Sequence, residues 1–205
     1  VVLPCAGDVY RDKLTAACHV LNGFGKTTGL IQIRELGTLE TPIALTNTLN
    51  VGLVQDALVE YMCRQAEAAD YQITTVNPVV CECNDSSLNN IRRRAVTQDH
   101  VFRAIETASA DFALGDVGAG KGMTCFGLKG GIGTASRQMV LGGETFTLGV
   151  LALTNHGSMP DLILAGTPAG ERIQRDLDQT ARPDKGSCIL IAATDLPLSS
   201  RQLGR

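Results

Sequence analysis

From Val51 the apolar residues fall at helical spacing. Val51, Val54, Leu58 and Met62 line one side, Gln55, Asp56 and Glu60 turn outward, and Asn50 is placed as a cap, so a helix is predicted to about Ala68. Residues 97–111 offer a second amphipathic helix through Val101, Ile105 and Ala108, and Leu198–Leu203 reads as the start of another. Elsewhere the pattern is strand-like. Leu30–Leu36 alternates apolar and polar residues and Pro42–Thr46 follows after a short turn, which predicts two neighbouring strands. Phe146–Leu153, Leu162–Ala165 and Cys188–Thr194 are short apolar runs bounded by Gly, Pro, Asn or Asp, as strands buried between layers should be. The one long polar stretch, 167–186, reads as an exposed connection. Helical and strand periods alternate without a repeat or a linker, so the pattern predicts a layered α/β fold with glycine-rich turns.

Composition narrows the partners. A chain of 205 residues, 44% hydrophobic and 19% charged, can bury one substantial core, and a single domain is expected. The net charge of −3 supplies no basic stripe for phosphates, so nucleic acid is not an expected partner. The longest apolar runs, such as Cys188–Ala193, fall far short of the roughly 20 residues that cross a bilayer, and no membrane partner is expected. The first residues show no charged start followed by an apolar stretch and a cleavage site. The seven cysteines are scattered without a framework spacing, which predicts reduced thiols, mostly small core residues, in a cytoplasmic protein. Cys81 and Cys83 are the only close pair, and His19, His100 and His156 lie far apart, so no metal is assigned.

The stretch GDVGAGKG, residues 115–122, imitates a phosphate loop, with Gly115, Gly120 and Lys121 in place but Gly122 where a Ser or Thr should hold Mg²⁺. It runs into Met123–Phe126 and a further cluster, Gly130, Gly131 and Gly133, which read as strand and turn rather than the helix a phosphate needs. No nucleotide or other cofactor is expected.

Eight ordered segments carry a more specific signal: NGFGKTTG (22–29), ELGTLETPIALTNT (35–48), VGLVQDALV (51–59), NPVVCEC (77–83), GDVGAGKGM (115–123), GLKGGIGTASR (127–137), TLGVLALTNHG (147–157) and KGSCILIAATDLPL (185–198). Together they resemble the self-processing L-aminopeptidase/D-esterases, a group that includes the β-aminopeptidases. The resemblance implies an αββα sandwich, two stacked sheets between helical layers, of the N-terminal-nucleophile-hydrolase type. It implies hydrolysis of short peptides, amino-acid amides or esters with a free amino end, by a homo-oligomer of processed chains. In that family the glycine-rich loop lies beside the substrate cleft and binds no nucleotide.

The resemblance also assigns roles. The bond between Gly186 and Ser187 matches the one such proteins cut in themselves, which frees Ser187 as an N-terminal nucleophile. Gly186 offers no side chain to obstruct attack by the Ser187 hydroxyl on the preceding carbonyl, and it can take up strained backbone angles. An N-to-O acyl shift and hydrolysis then release an α-amino group whose ordinary pKa, about 8, lets it help activate the adjacent hydroxyl. Without the resemblance, Ser187 reads as a turn residue opening a buried strand. Asn155 matches a side-chain amide donor to the oxyanion, a role worth about 3 kcal/mol of transition-state stabilisation; otherwise it reads as a strand-end Asn supporting the turn at Gly157. Glu82 matches a glutamate that receives the substrate's ammonium; otherwise it is a solvated strand-end charge. Asn84 stands where some relatives place a Tyr that helps form the oxyanion site, and Cys83 replaces a more usual Thr.

Two departures accompany the match. Only 21 residues precede Asn22, and the sequence ends at Arg205, 18 residues beyond Ser187, before the Ser and Glu that complete the family's catalytic set. The domain 1–205 is therefore expected to be incomplete at its C-terminal side, either as a fragment of a longer protein or as a remnant that stops at Arg205. The other class of function that fits is a non-catalytic remnant or subunit that binds small amino compounds.

Overall fold

The computed structural model describes residues 1–177 and 186–205. In chain order the elements are β1 (Leu14–Thr15), α1 (Leu30–Leu36), β2 (Thr38–Leu39), β3 (Ile43–Asn47), α2 (Val51–Ala68), β4 (Val79–Cys83), α3 (Gln98–Glu106), β5 (Thr124–Cys125), β6 (Leu128–Lys129), β7 (Gly131–Leu141), β8 (Glu144–Asn155), α4 (Ala169–Asp176), β9 (Ser187–Thr194) and α5 (Ser200–Leu203). The α/β class expected from the sequence is observed. By internal contacts the chain forms two compact units: Val1–Glu82 with Arg92–Phe112 and Pro197–Arg205, and Cys83–Ile91 with Ala113–Leu196.

The first unit is organised by α2. Its apolar stripe, Val51, Val54, Ala57, Leu58, Met62 and Ala66, is buried as the spacing predicts. All but Val51 leave at most 3% of their surface exposed, and Val51, Val54, Ala57 and Leu58 pack with Ala44 of β3, Val80 of β4 and Val101 and Ile105 of α3. Asn50 precedes the helix but does not cap it with its side chain; the amide donates instead to Asn47. The α3 helix stops at Glu106, short of the expected Asp111, and Ala108 lies beyond its end. Pairs β1–β2 and β3–β4 form two small sheets. Buried Glu40 is answered by Lys13, 2.5 Å away, and by the Asn77 N–H at 2.9 Å. Burial pushes its carboxyl up, but hydrogen bonds from Lys13, Gln32 and Asn77 outweigh that and hold it below the usual carboxylate range.

The predicted strand at Leu30–Leu36 is instead the helix α1. Alternation would bury one side, yet only Ile33 is buried while Ile31 is 81% exposed. Left-handed glycines decide the matter. Gly29 has φ +78°, and a Cβ there would lie 2.6 Å from the Pro78 carbonyl oxygen; Gly37, at φ +67°, donates its N–H to Ile33 O at 2.9 Å as a helix C-cap. Ile43–Asn47 is a strand as expected, but its partner is β4.

The second unit is built on the antiparallel sheet β7–β8–β9. The β7–β8 hairpin pairs Leu141 with Glu144 through the turn residues Gly142 and Gly143, both at positive φ, as a tight two-residue turn of this twist demands. Phe146–Leu153 and Cys188–Thr194 lie within β8 and β9 as expected. Two readings fail here. Leu162–Ala165 is no strand: Leu164 and Thr167 exchange 2.9 Å backbone hydrogen bonds across Ala165 and Gly166, both at positive φ, so local turn geometry overrides the apolar run. The polar stretch from 167 is not all connection, because Ala169–Asp176 forms α4, seated where Gly170 meets the Met159 carbonyl too closely for any Cβ. Its residues 178–185 lie outside the described residues. All seven cysteines are free thiols, but only Cys81 and Cys83 are buried, so the others are not core residues.

Candidate active site

Three of the candidate residues meet in the second unit, at the open end of the β8–β9 pair. Asn155 is the last residue of β8, Ser187 the first of β9, and the two stand opposite each other in register. Cross-strand neighbours lie close enough for their side chains to touch. The Asn155 Nδ2 donates to the Asn84 carbonyl oxygen at 2.9 Å and lies 3.3 Å from Ser187 Oγ. Its Oδ1 accepts the Thr124 N–H at 3.1 Å. A backbone donor on one side and a backbone acceptor on the other fix which way the buried amide faces. One N–H is held by Asn84, and the other faces the Ser187 hydroxyl.

Gly186 is required here by close approach. A Cβ on Gly186 would sit 2.1 Å from the Asn155 carbonyl oxygen and 2.6 Å from the His156 Cα. The bond before Ser187 is thereby pressed against the strand that carries the amide donor. On the far side, the Phe126 N–H bonds the His156 carbonyl at 2.8 Å, and the Phe126 ring meets the His156 ring edge-on at 5.4 Å. The next residue, Cys188, alternates to the other face of the sheet. Desolvation, and then the neighbouring Cys125, push its thiol up, so the hydroxyl and not a thiolate is the candidate nucleophile at this strand end.

The glycine-rich loop supports this corner and offers no phosphate cradle. Gly115 and Ile132 exchange hydrogen bonds of 2.7 and 3.0 Å, and the N–H groups of Val117, Gly120, Lys121 and Met123 are spent on carbonyls within the loop. Lys129 bonds the Gly120 and Gly130 carbonyls at 2.8 and 2.7 Å and pairs with Asp116 at 3.3 Å. A tight turn at Gly118–Gly120 leads to β5 rather than to a helix. A Cβ on Gly120, Gly122 or Gly131 would strike Gly115 O, Asp85 Cβ or Gly115 O at 2.2–2.4 Å, which explains the glycines by packing.

Glu82 belongs to the first unit and is 7% exposed, so it is not a solvated charge. Its Oε1 accepts the Lys26 N–H at 3.1 Å, and its Oε2 accepts the Thr48 hydroxyl. Among the described residues no cationic side chain pairs with it. Asn84 contributes its backbone carbonyl to Asn155, while its side chain accepts the Ser86 N–H at 3.0 Å and closes a local turn. Thr124, Lys26 and Thr48 were not singled out from the sequence. Their parts are played by a backbone N–H in two cases and by a contact across 34 residues in the third, none of which has a local signature. Among the described residues no three His, Cys, Asp or Glu side chains gather as a metal group, and no helix is long and apolar enough to cross a membrane.

Known proteins resemble this chain over its full length. The model of peptidase family S58 matches residues 1–205. A beta-peptidyl aminopeptidase, BapA, of Sphingosinicella microcystinivorans is 38% identical over 218 residues, covering 100% of this chain and 54% of that protein. Among solved structures, the PH0078 protein from Pyrococcus horikoshii OT3 superposes with a TM-score of 0.89 at 48% identity, over 98% of this chain and 55% of that one. The L-aminopeptidase D-Ala-esterase/amidase from Ochrobactrum anthropi, described as a variant of the Ntn hydrolase fold, superposes with a TM-score of 0.83 at 36% identity, over 93% of this chain and 52% of its own. The chain spans about half the length of these relatives. Its α/β fold is that of the Ntn hydrolases, and the chain belongs to peptidase family S58.

Proposed function

We propose that this chain is the nucleophile-bearing part of a self-processing serine aminopeptidase or amidase, which cuts itself between Gly186 and Ser187 and then hydrolyses short peptides, amino-acid amides or esters with a free amino end. The observation that carries the reading is the Asn155 amide, clamped by Thr124 and Asn84 with one N–H turned to Ser187 Oγ at 3.3 Å. In the cut, the Ser187 hydroxyl adds to the Gly186 carbonyl carbon, the Gly186–Ser187 C–N bond breaks, and the resulting ester is hydrolysed by water. The released α-amino group then takes the hydroxyl proton as Ser187 attacks a substrate carbonyl. During that attack the N–H of Asn155 beside Oγ donates to the carbonyl oxygen on which negative charge develops. Glu82 supplies the carboxylate for the substrate's ammonium: it is buried, held by two neutral donors, and lacks a cationic partner among the described residues. Membership of a peptidase family favours turnover over mere binding.

The test uses the complete protein, a serine-directed sulfonyl fluoride and peptide mapping, beside turnover of free and N-acetylated amino-acid p-nitroanilides. The reagent is expected to label Ser187 and to abolish turnover, and the acetylated substrates are expected to be poor. Labelling elsewhere with loss of activity would remove Ser187 from the reaction, and equal turnover of blocked and free substrates would remove Glu82.

A further inference from the structure

Resting on the reading of Glu82 as the ammonium acceptor, we propose that the loop 22–29 selects the substrate's first side chain, with the Phe24 ring as the apolar surface on which that side chain lies. The loop is stitched to the segment that ends in Glu82. Thr28 donates its N–H to Val80 O and its hydroxyl to Pro78 O, each at 3.0 Å, and Gly29 lies too close to Pro78 for any other residue. Next along, the Lys26 N–H bonds Glu82 Oε1, and a Cβ built on Gly25 would be 3.6 Å from the same oxygen. Phe24 is therefore two residues from the backbone contact with the carboxylate.

Phe24 is 85% exposed, and local contacts hold its backbone and meet its ring. Its N–H bonds Asn22 Oδ1 at 3.2 Å in a local turn, and its carbonyl accepts the Lys26 ammonium at 3.0 Å. The same ammonium lies 4.2 Å from the ring centroid, where the negative face of the aromatic attracts it. The ammonium of Lys26, whose N–H bonds Glu82, is thus committed to Phe24. That leaves the carboxylate for an external cation and orders an apolar ring beside it at the same time. A substrate ammonium on Glu82 places the carbon that bears the first side chain one bond away, within reach of the ring. An ordered aromatic surface favours aliphatic and aromatic side chains over hydrogen, through the area it removes from water. The predicted class is free-amino substrates whose first residue carries an apolar side chain.

The experiment compares the complete protein with its Phe24→Ala and Phe24→Leu variants on glycyl, alanyl, leucyl and phenylalanyl p-nitroanilides. Phe24→Ala is expected to lower kcat/KM for the leucyl and phenylalanyl substrates by about tenfold, mainly through KM, with less than about twofold on the glycyl one, the scale at which apolar pockets discriminate. Phe24→Leu restores most of the leucyl activity, and neither variant shifts Tm, because the ring is exposed. Equal losses on all four substrates, or no loss on any, would overturn the proposal, and so would a change of oligomeric mass that accounts for the loss. Glu82→Gln separates the two claims, since it weakens all four free-amino substrates by a common factor and leaves the leucyl-to-glycyl preference intact.

Discussion

The two compact units are held by different physics. In the first, α2 supplies a stripe of apolar side chains to one cluster with β3, β4 and α3, so its order rests on burial. In the second, the fully buried apolar side chains among the described residues are Cys83, Met123 and Leu153, with Met159 close behind, while β9 exposes Leu190 to 67% and β7 exposes Val140 to 69%. What orders that unit is backbone fit: a long hairpin, a loop whose N–H groups are bonded within itself, and glycines at 120, 122, 130, 131, 170 and 186 where a Cβ would collide with its surroundings. The candidate nucleophile sits in this second kind of structure. Backbone contacts locate a hydroxyl and an amide more closely than the packing of soft side chains does, because each hydrogen bond fixes direction as well as distance.

Stability should divide accordingly. Leu58→Ala, at a fully buried position on α2, is expected to cost about 2–5 kcal/mol in denaturant unfolding, whereas Leu190→Ala on the exposed face of β9 should cost less than about 0.5 kcal/mol. Similar costs at the two positions would mean that Leu190 is covered in solution and that the second unit has an apolar core after all. Catalysis should divide in the opposite way. Asn155→Ala removes the donor turned to Ser187, and kcat is expected to fall by about 100-fold with little change in KM. Self-cleavage should slow with it, since both reactions pass through a tetrahedral oxyanion. A loss below about threefold, with circular dichroism and Tm unchanged, would make Asn155 a structural clamp between Thr124 and Asn84 and nothing more.

The same contrast explains what could be read in the sequence. The helix α2 was legible because burial imposes a period that its apolar positions follow, whereas β8 and β9 were legible as short apolar runs. The burial expected of β9 is not met, since none of its residues is buried and Leu190 is 67% exposed. The segment Leu30–Leu36 misled because seven residues are too few to separate the periods, and what decides its form is the left-handed backbone of Gly29 and Gly37. Strand β7 was not singled out as a strand, since Thr134, Ala135, Ser136, Arg137 and Gln138 are all exposed and carry no apolar alternation. At the site, Ser187, Asn155 and Glu82 were named through the resemblance alone. The register that sets Asn155 opposite Ser187, and the collision that reserves position 186 for glycine, belong to strand pairing and have no trace in local composition.

The central claim is that the Gly186–Ser187 bond is cut by the Ser187 hydroxyl. It is tested most directly by expressing the complete protein and its Ser187→Ala variant, separating each on a denaturing gel and sequencing the N-terminus of every band. The wild type should give two fragments, the second beginning Ser-Cys-Ile-Leu, and the variant a single uncut chain. A wild-type protein that stays whole and is nonetheless active, or a Ser187→Ala variant cut at the same bond, would contradict the account.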